Sequence, residues 1–458
     1  MNKLIVDVER MAPEGTALAK APGSSRVVFV PYGVPGDRLE IEQVETKSSY
    51  ARGRLLRVVS PGADRVKPPC PLHFDPSRAA LSCGGCDWQQ LAYEAQLKNK
   101  RLIVQDCVAR IGKMRDVPIA ETIPSPQPWA YRNKVQIPFG FDGKTSRVVA
   151  GFYAPGSHTI VDFEACPVQP DLSVRLALKV KEMAVAERWP VYDALKHRGW
   201  LRHLFVRTSA DGRALAALVT RSPDFPRQDR FVETLRAAFP EIVSLYQNVQ
   251  PEKTSVVLGP TWRRLWGAER IEEKVGEFKF LVSPGAFLQV NTGAAERLYD
   301  AAAAALGEGG LRPPLALDLY CGAGTLTLWA AKSARKVIGV EEDRDAVRDA
   351  WENAKRNGVT NARFIAARVE SALPRLKAEL PDGAAALVDP PRAGLSQPAL
   401  RFLTTPKLKR LVYVSCNPAT FARDANFLAH SGFKLKRVQP VDLFPQTSHV
   451  ELVGLFDR

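Results

Sequence analysis

Leu315-Ala316-Leu317-Asp318-Leu319-Tyr320-Cys321-Gly322-Ala323-Gly324-Thr325 passes from an apolar run through a glycine turn into a helical pattern. Such a run suits a parallel strand covered on both faces, and the glycines let the backbone approach a ligand at the helix N-terminus. The alternation repeats downstream: Lys336-Val337-Ile338-Gly339-Val340-Glu341, Ala385-Ala386-Leu387-Val388-Asp389-Pro390 and Arg410-Leu411-Val412-Tyr413-Val414-Ser415 are strand runs separated by helical patterns. Residues 276–458 are therefore expected to form a doubly wound α/β sheet. Glu341 ends the second strand, about 20 residues on, where a carboxylate accepts hydrogen bonds from a ribose diol. Asp318, the missing third glycine and Glu341 favour S-adenosylmethionine over NAD, although a bare Gly-x-Gly is also compatible with an ordinary strand-turn-helix.

Strand four ends in Asp389-Pro390-Pro391-Arg392 and strand five in Ser415-Cys416-Asn417-Pro418. In an open α/β sheet both ends face the ligand crevice. A thiol and a carboxylate there suit methylation of carbon 5 of uracil. Thiolate addition to carbon 6 makes carbon 5 nucleophilic, and a base must afterwards remove the carbon 5 proton. Cys416 is the candidate nucleophile, and Glu451, within Phe444-Pro445-Gln446-Thr447-Ser448-His449-Val450-Glu451, is the candidate base. A free thiol with a pKa of about 8.5 needs a cation or dipole to ionise, and Arg392 and Arg423 are the nearest in sequence.

The remaining chain narrows the class. Its 458 residues exceed one ordinary core, and 64 Lys and Arg against 49 Asp and Glu give a formal charge of +15, which favours a polyanionic partner such as RNA. No run of about 18 apolar residues exists, so a cytoplasmic protein without membrane association is expected. Residues 1–60 alternate apolar and polar positions between Gly and Pro turns, as in Val27-Val28-Phe29-Val30 and Leu39-Glu40-Ile41, which predicts a small antiparallel barrel. Residues 61–275 carry Cys70, Cys83 and Cys86, a helical stretch through Leu97, Ile103, Cys107 and Ile111, and a mixed, β-rich remainder. Seven cysteines without a secretion signal point to metal binding or catalysis rather than disulfides.

At these residues the sequence closely resembles the bacterial RNA 5-methyluridine methyltransferases, in particular the 23S ribosomal RNA members with an N-terminal TRAM domain and an iron-sulfur cluster. The resemblance spans the chain, through SPGAFLQVN at 283–291, DLYCGAGTLTL at 318–328, LVDPPRAGL at 387–395, YVSCNPATFARD at 413–424 and HVE at 449–451. It implies Cys416 as nucleophile, Glu451 as base, and Gln289, Tyr320, Thr325, Glu341 and Asp389 as S-adenosylmethionine contacts. Arg368 falls where an Asn or acidic residue is usual. It also implies a 4Fe-4S cluster on Cys70, Cys83, Cys86 and Cys166, with a longer first gap than relatives because residues 72–82 look inserted; thiolate softness alone leaves zinc open. Cys107 and Cys321 are read as packing.

The implied partner is structured ribosomal RNA with a uridine flipped out of its stack, bound by a monomer. Phe287 is the candidate to stack on the base, and Arg132, in Tyr131-Arg132-Asn133-Lys134, and the segment 196–207 are candidates to track phosphates. The alternatives are a transfer RNA uridine or a non-catalytic RNA-binding protein on a degenerate fold. RNA cytosine-5 enzymes need Pro-Cys after strand four, amino-group methylases an aromatic after the prolines, and radical methylthio enzymes Cys-x-x-x-Cys-x-x-Cys; none of these is present.

Overall fold

Alternating side chains of Lys3–Met11, Ala17–Lys20, Val27–Val30, Arg38–Thr46 and Tyr50–Ser60 (β1–β5) point inward and close a barrel in the order β1-β2-β3-β5-β4. The pairing is antiparallel except between β3 and β5, which run parallel, so the barrel is not wholly antiparallel as expected. The computed structural model describes residues 3–458 apart from 22, 24, 25 and 144. Barrel residues Val6, Ala17, Leu39 and Ile41 share one buried cluster with Trp88, Leu91, Ala95 and Ile103. The last two lie on α1 (Tyr93–Arg110), whose other face places Val104 and Val108 in the core of the C-terminal sheet. α1 is thus a wedge between the barrel and that sheet.

The middle of the chain forms a seven-stranded sheet. Its strands are β6 (Lys134–Asp142), β7 (Arg147–Tyr153), β8 (Ile160–Asp162), β9 (Leu201–Thr208), β10 (Ala214–Thr220), β11 (Ile242–Val249) and β12 (Thr261–Gly267), ordered β12-β11-β10-β9-β6-β7-β8. Helices α2 (Asp171–Ala186) and α3 (Gln228–Ala238) cover one face. The hairpin β13 (Ile271–Val275) and β14 (Phe278–Val282), with α4 (Thr292–Gly307), covers the other and joins it to the C-terminal core. Both faces of β9 are therefore dry, which overturns the expectation that the basic segment 196–207 tracks phosphates throughout. Arg202 and Arg207 are buried, Arg202 donating to the Gln250 and Glu252 carbonyls and Arg207 to that of Ala286.

The C-terminal sheet takes the expected doubly wound form. Strands β15 (Ala316–Leu319), β16 (Val337–Glu341), β17 (Ala362–Ala366), β18 (Ala384–Val388), β19 (Leu408–Ser415), β20 (Lys434–Val441) and β21 (Glu451–Asp457) are ordered β17-β16-β15-β18-β19-β21-β20. Helices α5 (Thr325–Ser333), α6 (Arg344–Arg356), α7 (Val369–Glu379), α8 (Gln397–Leu403) and α9 (Pro418–His430) connect them. The first five are parallel and β21 runs antiparallel between β19 and β20. No helix among the described residues is long and apolar enough to cross a membrane.

Candidate active site

The glycine turn leaves β15 with Tyr320 at φ 70°, Gly322 at 52° and Gly324 at 83°. A Cβ on Gly324 would lie 3.1 Å from Ala350 and the Phe364 ring, so conformation and space both call for glycine. Glu341 accepts the Gly322 N–H at 3.1 Å and the Asp343 N–H at 2.9 Å, placing its carboxylate at the turn. Asp318 is wholly buried beneath it, bonded to the Thr327 hydroxyl, and burial pushes its pKa up to about 7. Thr325, the first residue of α5, shares a hydrogen bond with the Tyr299 phenol.

Cys416 follows β19 and Glu451 opens β21. Glu451 is 3% exposed, its Oε2 has no partner, and burial with the nearby Asp389 raises its pKa to about 8. Burial alone raises Asp389 to about 7. The Cys416 thiol is pushed up to about 11 by burial and then by Glu451 and Asp389, while Arg392 pulls it down. Arg392 is thus the cation at the thiol. Arg423 instead pairs with Asp424 and donates to the Ala393 carbonyl at 2.9 Å, so it braces the loop after strand four rather than acting on sulfur. Asn417 caps α9 and also donates to the Arg392 carbonyl at 3.2 Å, tying the two catalytic loops together. Buried Asp424 completes the tie, accepting from Leu395 N–H and Tyr413 hydroxyl at 2.8 Å each.

Gln289 is buried in the extended segment before α4, where its carbonyl accepts from Asn133 at 3.1 Å. Phe287 projects from the same segment, 60% exposed, with the Lys134 ammonium 5.3 Å from its ring. Lys134 has its pKa depressed to about 8, by burial first and then by Arg207 and Arg132. Arg368 stands exposed at the N-cap position of α7 without a side-chain cap bond, with Glu342 at 3.9 Å. Tyr299 was not singled out from the sequence; it reaches the site from α4, whose local pattern reads as ordinary core.

Cys70, Cys83, Cys86 and Cys166 line one cavity of about 360 Å³ together with His73, Tyr131, Arg132 and Lys134. The inserted segment does not separate the first two. The Cys83 N–H bonds back to the Leu72 carbonyl at 2.7 Å, and Phe74 stacks on Tyr32 of the barrel at 4.0 Å, so the extra residues fold aside. Burial, and then the neighbouring cysteines, hold Cys83 near 11 and Cys86 near 12. Among the described residues no group of three or more His, Cys, Asp or Glu side chains is placed to hold a metal ion. Cys107 and Cys321 are buried packing residues, as expected.

Residues 268–458 match the tRNA (Uracil-5-)-methyltransferase family and residues 3–56 the TRAM domain. An RNA methyltransferase of Halalkalibacterium halodurans is 38% identical, over 99% of this chain and 96% of its own. This chain belongs to the RNA uracil-5-methyltransferase family. An RNA methyltransferase of Gloeobacter violaceus is 36% identical over 99% of this chain and 96% of its own. The Pyrococcus abyssi tRNA (uracil-54, C5)-methyltransferase, solved with S-adenosyl-L-homocysteine, superposes with TM-score 0.76 at 27% identity, covering 98% of this chain and 100% of that one. As a uracil-5-methyltransferase the chain places its glycine turn, Glu341, Asp389 and Cys416 at the carboxyl ends of parallel strands, with Glu451 beside them at the amino end of the antiparallel β21, on the edge where an open α/β sheet binds its ligands.

Proposed function

We propose that the enzyme methylates carbon 5 of a uridine in 23S ribosomal RNA through a covalent Cys416 adduct. The observation that carries this reading is the meeting of Cys416, Glu451 and Asp389 at the strand ends beside the glycine turn. Glu341, Tyr320, Thr325, Gln289 and Asp389 would hold S-adenosylmethionine, which would supply the methyl group. Cys416 adds to carbon 6, its proton passing to the Asp389–Glu451 pair, whose raised pKa values suit it to accept protons near neutral pH. Once carbon 5 carries the methyl, Glu451 takes the carbon 5 proton, the carbon–sulfur bond breaks with its electron pair on sulfur, and the thiolate takes back one proton from the carboxylate pair while the other passes to solvent.

The TRAM domain over residues 3–56 and the +15 charge support an RNA substrate, and the resemblance to 23S members supports ribosomal RNA. The Pyrococcus abyssi neighbour supports a transfer RNA uridine as the second reading. The resemblance to members with a 4Fe-4S cluster and the gathering of four soft thiols around one cavity support a cluster on Cys70, Cys83, Cys86 and Cys166.

The test is a pair of variants. Cys416→Ala should form neither product nor adduct, while Glu451→Gln should accumulate a methylated protein–RNA complex that survives denaturation. Methylation by Cys416→Ala would overturn the mechanism, and mapping 5-methyluridine in RNA from cells with and without the gene assigns the substrate.

A further inference from the structure

Gln446 lies five positions before Glu451, buried, at φ 68°. A non-glycine residue in that conformation persists only where its surroundings hold it. They do so from far along the chain. The Gln96 side chain on α1 pairs twice with Gln446, its Nε2–H donating to Oε1 at 3.0 Å and its Oε1 accepting the backbone N–H at 2.9 Å. The Trp88 N–H donates to the Gln446 carbonyl at 3.0 Å, the Tyr131 hydroxyl to Pro445 O at 3.0 Å and the Lys100 ammonium to Phe444 O at 3.0 Å. Asp87, next to Cys86, accepts the Ser448 N–H at 3.0 Å. The barrel closes on the same point: a Cβ on Gly15 would lie 2.2 Å from Asp87 Oδ2 and 2.6 Å from Ser448 Oγ.

We infer that Asp87 and Gln96 are positioning residues for Glu451: they fix the 444–448 loop and thereby aim the base at the carbon 5 proton. The inference rests on the reading of Glu451 as the base. It follows from connectivity. Val450 and Glu451 continue directly from Ser448; the ladder fixes the Glu451 backbone against Val441, but its Oε2 has no hydrogen-bond partner, so the aim of the side chain depends on how the loop enters the strand. Loosening the loop slows proton removal but leaves addition and methyl transfer intact, because the Cys416 turn is also tied to the loop after strand four, through Asn417 and the Arg392 carbonyl.

The experiment compares Gln96→Ala, Asp87→Ala, Asp87→Asn and Glu451→Gln in the full-length enzyme, with metal content measured for each. Gln96→Ala and Asp87→Ala should lower kcat by about 10- to 100-fold, as misplacement of a reacting group does. KM for RNA should stay unchanged, and the denaturation-resistant methylated adduct should rise above wild type. Asp87→Asn, which keeps an acceptor for Ser448, should recover most of the turnover. A merely structural role would lower adduct and product together, and that result, or wild-type kinetics in both alanine variants, overturns the inference. If Glu451→Gln accumulates adduct and the alanine variants do not, only the positioning role falls. If no variant accumulates adduct, the role of Glu451 falls with it.

Discussion

Cys416 and Glu451 face one another because Ser415 pairs with Leu452 in the antiparallel ladder of β19 and β21. The residue just past one strand and the first residue of the other are then opposite by construction. A one-residue slip would send every side chain of β21 to the other face of the sheet. The two groups therefore stay together only while β21 keeps its place between β19 and β20.

Activity and stability should respond to pH in opposite directions. Burial raises Glu451 to about 8 and Asp389 to about 7, so both are protonated in the fold at pH values where the unfolded chain ionises them. Stability should therefore fall as pH rises from about 4.5 towards 8, while kcat/KM should rise over pH 6 to 8 as the base ionises. Glu451→Gln should flatten part of the stability decline and melt above wild type at pH 8. Denaturant titrations and pH–rate profiles check both; an activity that falls from pH 6 to 8 contradicts the assignment.

Anaerobically purified protein should be brown and contain about four irons per chain. Cys83→Ser should lose the metal and its visible absorbance, whereas Cys107→Ser, in the packed face of α1, should keep both. Stoichiometric zinc in colourless protein would reject the cluster.

Phe287→Ala should weaken RNA binding without lowering the melting temperature, because the ring is 60% exposed. Stacking on one base contributes about 1–3 kcal/mol, so the dissociation constant should rise by roughly 5- to 160-fold. Titration with a short uridine-containing RNA reads this directly, and unchanged affinity would remove Phe287 from the interface.

Lys100 and Asp442 form an ion pair with both side chains fully buried. Lys100→Met should destabilise the protein by about 3–5 kcal/mol, since it strands a buried carboxylate. Lys100→Met combined with Asp442→Leu should cost far less in chemical denaturation. Equal losses in the single and double variants would show that packing, not charge, sets the effect.

The local part of this molecule was legible in its sequence. The strand-turn-helix period, the glycines at 322 and 324, the Cys83-x-x-Cys86 pair and the alternating barrel strands each depend on neighbours a few residues apart, where spacing and backbone sterics act. Tertiary structure decided the rest. Arg202 and Arg207 read as surface cations because charges are seldom buried, yet β9 is covered on both faces by elements its own pattern does not reveal. Which arginine meets the thiol depended on where the loop after strand four lies against α9. The Gln96–Gln446 pair joins positions 350 residues apart, and Cys166 reaches the other cysteines only through the folding of the middle sheet. No periodicity records such contacts, because burial, pKa and hydrogen-bond partners are set by whatever the rest of the chain packs against a residue.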